Sequence, residues 1–124
     1  MNEEWLKIIV QLKKRYTLLS EIYDLTQQMA DALNRDDEVS FSMLLSMRQE
    51  PILKMQESDR ILKGLRDNIS GEIAERWKAI ENGDDARTQE ETLFKQQMSQ
   101  NGRMIEKIVP FDKRVFAMLS NKKR

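Results

Sequence analysis

The fold of this chain is decided by residues 5–33, WLKIIVQLKKRYTLLSEIYDLTQQMADAL. Apolar side chains recur in this stretch at steps of three and four residues, which predicts one long amphipathic helix. Written as heptads, its two seam positions are mostly apolar: Trp5, Leu12, Leu19, Thr26 and Leu33 occupy one, and Ile9, Tyr16, Tyr23 and Ala30 the other. Such a helix is about 45 Å long, and its apolar face must be covered by other helices.

The composition favours a helical protein. The chain has 124 residues, of which 40% are apolar and 34% charged, with four glycines and two prolines. This mixture is typical of helical bundles and coiled coils, and the length is that of one domain. The 21 basic and 21 acidic side chains cancel, which argues against a protein that mainly neutralises nucleic acid or an anionic membrane.

Two absences bear on chemistry and location. The sequence contains no cysteine and no histidine, which fits a reducing compartment and removes the usual ligands for zinc, copper or iron. The N-terminus has Asn2, Glu3 and Glu4 where a secretory signal needs basic residues, and no apolar run reaches membrane-spanning length. We therefore expect a cytoplasmic protein without stable membrane insertion, cofactor or metal.

Two polar turns divide the chain. Asn34-Arg35-Asp36-Asp37 ends the first helix and opens a second at Glu38, and Asn82-Gly83-Asp84-Asp85 forms the second turn. Pro51 falls within the second helix. Because the apolar phase is the same on both sides of it, we favour a kinked continuous helix over a second segment that restarts there. Ser70-Gly71 weakens helicity before it resumes toward the second turn.

A third helix starts at a capping box, Thr88-Gln89-Glu90-Glu91. Pro110 restricts the residue before it and is expected to block a smooth continuation. The resulting prediction is an all-α fold: an elongated antiparallel helical hairpin, a third long helix alongside, and a short C-terminal helical segment. In terms of domains, residues 1–109 form one helical bundle and residues 110–124 form an amphipathic segment that can be mobile.

Catalytic chemistry has little support in the sequence. The acidic pairs Asp36-Asp37, Asp84-Asp85 and Glu90-Glu91 all lie at turns or first helical turns, where capping and the helix dipole account for them. Without histidine or cysteine, the commonest general bases and nucleophiles are missing. We predict that the protein is not an enzyme.

Some apolar residues are candidates for an exposed surface. The charged neighbours of Trp77 suggest a half-exposed ring, and the eight methionines suit either core packing or an adaptable binding surface. The segment after Pro110 is more apolar than a free chain end normally is. It either docks on the bundle or binds another protein, and the two states can alternate.

One stretch resembles a known family. Ala32-Leu33-Asn34-Arg35-Asp36-Asp37 is followed by EVSFSMLLSMRQEPILKMQESDRIL, which is similar to the flagellar secretion chaperones of the FlgN and FliT kind. In those proteins a polar turn precedes a helix with paired leucines, a basic residue with glutamine, and an aliphatic residue three or four positions on. Leu44-Leu45, Arg48-Gln49 and Ile52-Leu53 fill these places here. The resemblance spans most of the chain but does not distinguish between the two branches of the family.

The resemblance implies a cytoplasmic chaperone of the flagellar type III secretion system. Such a chaperone binds hook-associated or filament-cap proteins, shields their apolar terminal helices and brings them to the export apparatus. The C-terminal region is the usual substrate-binding part of the family. Carried over by position, and with Phe111 from the apolar segment itself, the predicted partner-binding residues are Ile105, Ile108, Val109, Phe111, Val115, Phe116, Met118 and Leu119.

Two other functions fit the same sequence. A structural coiled-coil adaptor would use the stripe of the first helix to self-associate as a homodimer. A regulator would sequester a transcription factor through the same surface that a chaperone would use for its client. Nucleic acid binding is disfavoured because the basic clusters, Lys13-Lys14-Arg15 and Lys122-Lys123-Arg124, lie on a polar helix face and at the chain end.

Overall fold

The structure, a computed structural model, describes residues 2–122 and is an all-α bundle of four helices. They are α1 (Glu3–Asn34), α2 (Glu38–Asn68), α3 (Gly71–Glu81) and α4 (Gln89–Lys122). No strand occurs between residues 2 and 122. The predicted fold class is confirmed. Lys123 and Arg124, the end of the predicted C-terminal segment, lie outside the described residues.

Local contacts mark both ends of the first helix and the start of the second. The Oδ1 atom of Asn2 accepts hydrogen bonds from the backbone N–H groups of Glu4, at 2.8 Å, and Trp5, at 3.3 Å. These two donors have no partner within the helix, so the cap stabilises its first turn. At the other end Asp36 has a φ of 56°, and the Asp37 carboxylate accepts from the N–H of Ser40 at 3.0 Å. The predicted turn is therefore confirmed.

The three long helices have a defined order and direction around α1. Both α2 and α4 pack along α1, with α2 antiparallel to it. Along the whole of α4, each contact with α1 or its flanking residues joins two residues that are 86 to 89 positions apart in the chain. Because this separation is nearly constant, α4 runs parallel to α1. These contacts join Asn2 to Glu90, Leu12 to Asn101, Tyr23 to Phe111 and Asp36 to Lys122.

Pro51 does not divide α2, which continues to Asn68. The predicted continuous helix is confirmed, and Pro51 itself is buried against the bundle. The chain then becomes extended at Ile69, with φ −80° and ψ 159°, before α3 begins at Gly71. The short α3 reverses the chain beside the N-terminal end of α1 and so brings α4 into its parallel position.

Pro110 lies inside α4, so the expected helix end at this residue is wrong. A proline inside a helix removes one backbone hydrogen bond and leaves the carbonyl of residue i−4, here Glu106, without its helical partner. Both Pro110 and Glu106 are exposed, so water can hydrogen-bond to that carbonyl. Packing of Phe111 and Val115 on α1 and α2 favours a continuous helix on the C-terminal side.

The first core cluster lies at the N-terminal end of α1, and we call it the aromatic cluster. It comprises Trp5, Ile8, Ile9, Leu12, Ile73, Trp77, Ile80 and Phe94. The Phe94 ring lies 5.1 Å from that of Trp5 and 5.3 Å from that of Trp77. Trp77 is only 5% exposed, so the expectation of a half-exposed ring is wrong. Its indole N–H donates to Glu81 at 2.6 Å, and the Arg66 guanidinium covers its face.

The second core cluster lies at the turn between α1 and α2, and we call it the tip cluster. It comprises Met29, Ala30, Ala32, Leu33, Phe41 and Val115. Phe111, Met118 and Leu119 of α4 pack against it. The C-terminal part of α4 therefore docks on the bundle, which is one of the two states expected for this segment.

Polar contacts join the helices between the two clusters. Asn101 donates to the Leu12 carbonyl at 3.0 Å and accepts from Gln97 at 3.1 Å. Gln11 donates to Ser58 at 2.7 Å. These buried groups satisfy one another, as the low dielectric of an interior requires. Asn101, a polar residue within the apolar pattern of α4, thus makes a specific contact with α1.

Candidate partner-binding surface

The structure separates the eight predicted partner-binding residues by exposure. Val115 is 1% exposed and belongs to the core. Four others pack partly against the bundle: Ile108, Phe111, Met118 and Leu119. The remaining three, Ile105, Val109 and Phe116, are exposed by 38%, 46% and 36%. All eight lie on the single helix α4, although the sequence predicts a break before Pro110. Their exposure separates those that hold α4 in place from those that face outward.

We call Ile105, Val109 and Phe116 the α4 stripe. They are spaced by four and seven residues, so they share one side of the helix. The stripe lies on the side of α4 that borders α2, because the Arg48 guanidinium lies 5.4 Å from the centre of the Phe116 ring. Three apolar side chains on one edge are the kind of surface that accepts the apolar face of another helix.

Arg48 anchors α4 beneath this stripe. Its guanidinium is buried, donates to Thr26 of α1 at 3.0 Å and forms an ion pair with Asp112 of α4. One arginine of α2 thus connects all three long helices. The Nε atom of Arg48 is buried without a hydrogen-bond partner among residues 2–122, so this contact is held at some cost in desolvation.

A second exposed apolar surface lies between α1 and α2, and we call it the hairpin groove. Its apolar lining comprises Leu6, Val10, Leu18, Ile61 and Leu65. The seam positions of α1 do not predict this surface, because its residues lie outside both seams. The available signal was that Leu6 and Val10 are large apolar residues, one helical turn apart, outside both seams.

A charged pair closes the opposite end of the bundle. Arg76 of α3 donates to the Glu91 carboxylate at 2.6 and 2.9 Å, and the Arg87 backbone N–H donates to the same carboxylate. The hydrogen bonds from Arg76 hold the pKa of Glu91 below its usual value, against the opposing effect of burial. Glu91 N–H donates in turn to the Thr88 hydroxyl at 3.1 Å. This acidic residue therefore fixes the start of α4.

Between residues 2 and 122, no group of three acidic side chains is placed to hold a metal ion. None of the four helices is long and apolar enough to cross a membrane within that same range. Comparisons of the sequence with protein families and with curated proteins, and of the structure with solved structures, find no match.

Proposed function

We propose that this protein is an export chaperone that binds an apolar helix of a partner protein along the α4 stripe. The observation that carries the proposal is the exposure of Ile105, Val109 and Phe116 on one edge of a helix whose other side is fixed in the core. A client helix would lay its apolar face on this edge, with most of the affinity carried by a few large side chains.

The anchoring of α4 supports this role. Val115 is buried in the tip cluster, and Arg48 ties α4 to α1 and α2 through Thr26 and Asp112. A rigid binding edge loses little conformational entropy when a partner docks. The stripe is therefore preorganised for a client helix, whereas a disordered tail would have to fold on binding.

The resemblance to flagellar secretion chaperones supplies the proposed client class. On this proposal the protein acts in the cytoplasm, binds a terminal helix of a hook-associated or filament-cap protein and delivers it to the export apparatus. Shielding that helix would prevent clients from assembling through the same apolar face before export.

The experiment that tests the proposal measures binding of purified hook-associated and filament-cap proteins from the same cell. The test variant carries Ile105→Ser, Val109→Ser and Phe116→Ser. Because the three side chains are exposed, circular dichroism should show an intact helical fold. We expect at least a tenfold rise in the Kd for the client, since losing 1.4 kcal/mol of contact energy already has that effect.

The matched control carries Leu6→Ser, Val10→Ser and Ile61→Ser, which removes three large apolar side chains of similar exposure from the hairpin groove. It should keep the wild-type Kd for the client. Failure of every candidate client to bind wild-type protein, or unchanged binding to the α4 stripe variant, would contradict the proposed function.

A further inference from the structure

The hairpin groove is a continuous depression on the side of α1 turned away from α4. It consists of two cavities of about 370 and 450 Å³, which share Gln11 and Ile61 as lining residues. Every residue that lines either cavity belongs to α1 or α2. From Leu6 to Leu18 the groove extends about 18 Å along α1, which is enough for roughly three turns of a docked helix.

The groove lies where the contact between α1 and α2 is polar. Gln11 and Ser58 are both buried and hydrogen-bonded to each other, and Arg15 pairs with Asp59. The short Ser58 side chain lines one of the two cavities. The apolar side chains on either side, Val10 and Ile61, are 43% and 42% exposed.

The charges along the groove are not balanced. The Glu57 carboxylate is paired with Arg60 at 2.6 Å, and Lys54 is paired with Glu50 at 3.1 Å. Within residues 2–122, the lysines that form ion pairs are Lys54, Lys95 and Lys122.

Lys7 and Lys14, which also line the groove, are therefore free to bind an external anion. They are seven residues apart on α1, or about 10 Å along the helix axis. The groove also contains the carboxylate of Glu3, which lies in the first turn of α1, where the helix dipole favours a negative charge.

We infer that the hairpin groove is a second docking site, for an amphipathic partner helix that carries two carboxylates one heptad apart beside its apolar face. The apolar side chains of that helix would cover Val10 and Ile61. Its two carboxylates would meet Lys7 and Lys14, because a heptad spacing on one helix matches the same spacing on a helix lying alongside. The partner would be a protein segment distinct from the client of the α4 stripe.

A second copy of this chain fits the groove less well. The α4 stripe of another copy would present Glu106 and, seven residues later, Lys113, so one of its charges would oppose a groove lysine. Two α1 helices could also pair antiparallel, with the centre of the pair between Val10 and Gln11. Lys7 of one copy would then lie near Lys14 of the other. Like charges at such positions disfavour association.

The experiment uses two synthetic 21-residue helical peptides as probes. Both carry leucine at alternating three- and four-residue steps, and they differ only at two flanking positions seven residues apart, which are glutamate in one peptide and lysine in the other. Fluorescence anisotropy at low salt measures their Kd values for the full-length protein. We expect the glutamate peptide to bind about tenfold more tightly than the lysine peptide.

Two groove variants test where the peptide binds. Lys7→Glu with Lys14→Glu should reverse the preference, so that the lysine peptide binds more tightly. Val10→Ser with Ile61→Ser should weaken both peptides about tenfold. The control variant, Lys13→Glu with Lys63→Glu, changes two exposed lysines that do not line the groove and should behave as wild type.

The inference would be overturned by equal Kd values for the two peptides, by a Kd for the glutamate peptide that neither groove variant raises, or by a wild-type dimer in sedimentation equilibrium that Val10→Ser with Ile61→Ser dissociates. The α4 stripe variant should bind the glutamate peptide normally, and loss of binding there would also overturn it. Because no flagellar client enters this test, its outcome is independent of the proposed function.

Discussion

The two ends of the bundle are built differently. The aromatic cluster is enclosed by α1, α3 and α4 and contains three large rings in mutual contact. The tip cluster contains two alanines, and α4 contributes to it only residues that follow Pro110. The N-terminal half of α4 is therefore structural, whereas core and exposed apolar positions alternate in its C-terminal half. Binding of the client helix is therefore expected along the C-terminal half of α4, whereas the hairpin groove is a separate site between α1 and α2.

The largest effect is expected in the aromatic cluster. Phe94→Ala removes a ring that is 0% exposed and contacts both tryptophans. It should lower the free energy of unfolding by about 3–5 kcal/mol, as other buried Phe→Ala changes do. Urea denaturation followed by circular dichroism measures this loss. A loss below about 1 kcal/mol would mean that this end does not hold the fold together.

A smaller loss is expected in the tip cluster. Val115→Ala removes two buried methyl groups and should lower the free energy of unfolding by about 2 kcal/mol. The same urea titration checks it. If Val115→Ala were as damaging as Phe94→Ala, the proposed difference between the two ends would disappear.

The stability that Glu91 contributes at the start of α4 should depend on pH. Because the folded-state pKa of Glu91 is lowered, chiefly by its hydrogen bonds with Arg76, the carboxylate stabilises the fold above the unfolded pKa of about 4.3. That contribution is lost as the pH falls through the lower, folded-state value.

Glu91→Gln should therefore be less stable than wild type at pH 7, by less than Val115→Ala, and the difference should shrink on acidification. Thermal unfolding at pH 7 and at pH 3 measures both values. A difference that stays constant over this interval would show that the ion pair does not contribute.

The smallest effect on stability is expected at the α4 stripe. Phe116→Ala removes an exposed ring and its contact with the Arg48 guanidinium. Exposed cation–π contacts contribute about 0.5–1 kcal/mol to stability. Urea denaturation should show a change in that range. A loss as large as that of Val115→Ala would show that Phe116 belongs to the core.

Local sequence signals predicted the elements whose ends are determined locally. The turn at residues 34–37 and the capping box at Thr88 depend on side chains next to the backbone groups that they cap, so the sequence alone reveals them. The heptad seams of α1 likewise predicted its buried face, with Tyr16 and Tyr23 only partly buried.

Contacts between residues far apart in the chain determine the structural features that the sequence did not predict. Local preference predicts a helix end at Pro110, but contacts of Phe111 and Val115 with distant helices favour continuation. Trp77 has charged neighbours in sequence, yet Phe94 and Arg66 cover its ring in the fold. The hairpin groove depends on how closely α1 and α2 approach each other, which the periodicity of either helix does not specify.

The same limit applies to the predicted partner-binding residues. Val115 and Phe116 are neighbours in sequence and both apolar, but one lies in the core and the other on the surface. Their difference depends on the rotation of α4 about its axis, which contacts such as Asn101 with Leu12 and Arg48 with Asp112 determine.

Val115 and Phe116 separate the core of the tip cluster from the α4 stripe, so truncating each of them tests whether the stripe binds the client. Titration of a purified client protein into Val115→Ala and Phe116→Ala, alongside urea denaturation of both variants, separates binding from stability. We predict that Phe116→Ala raises the client Kd at nearly unchanged stability, while Val115→Ala lowers stability and keeps the Kd of the folded protein. Equal loss of stability in both variants, with the same client Kd, would contradict the assignment of Val115 to the core and of Phe116 to the client-binding surface.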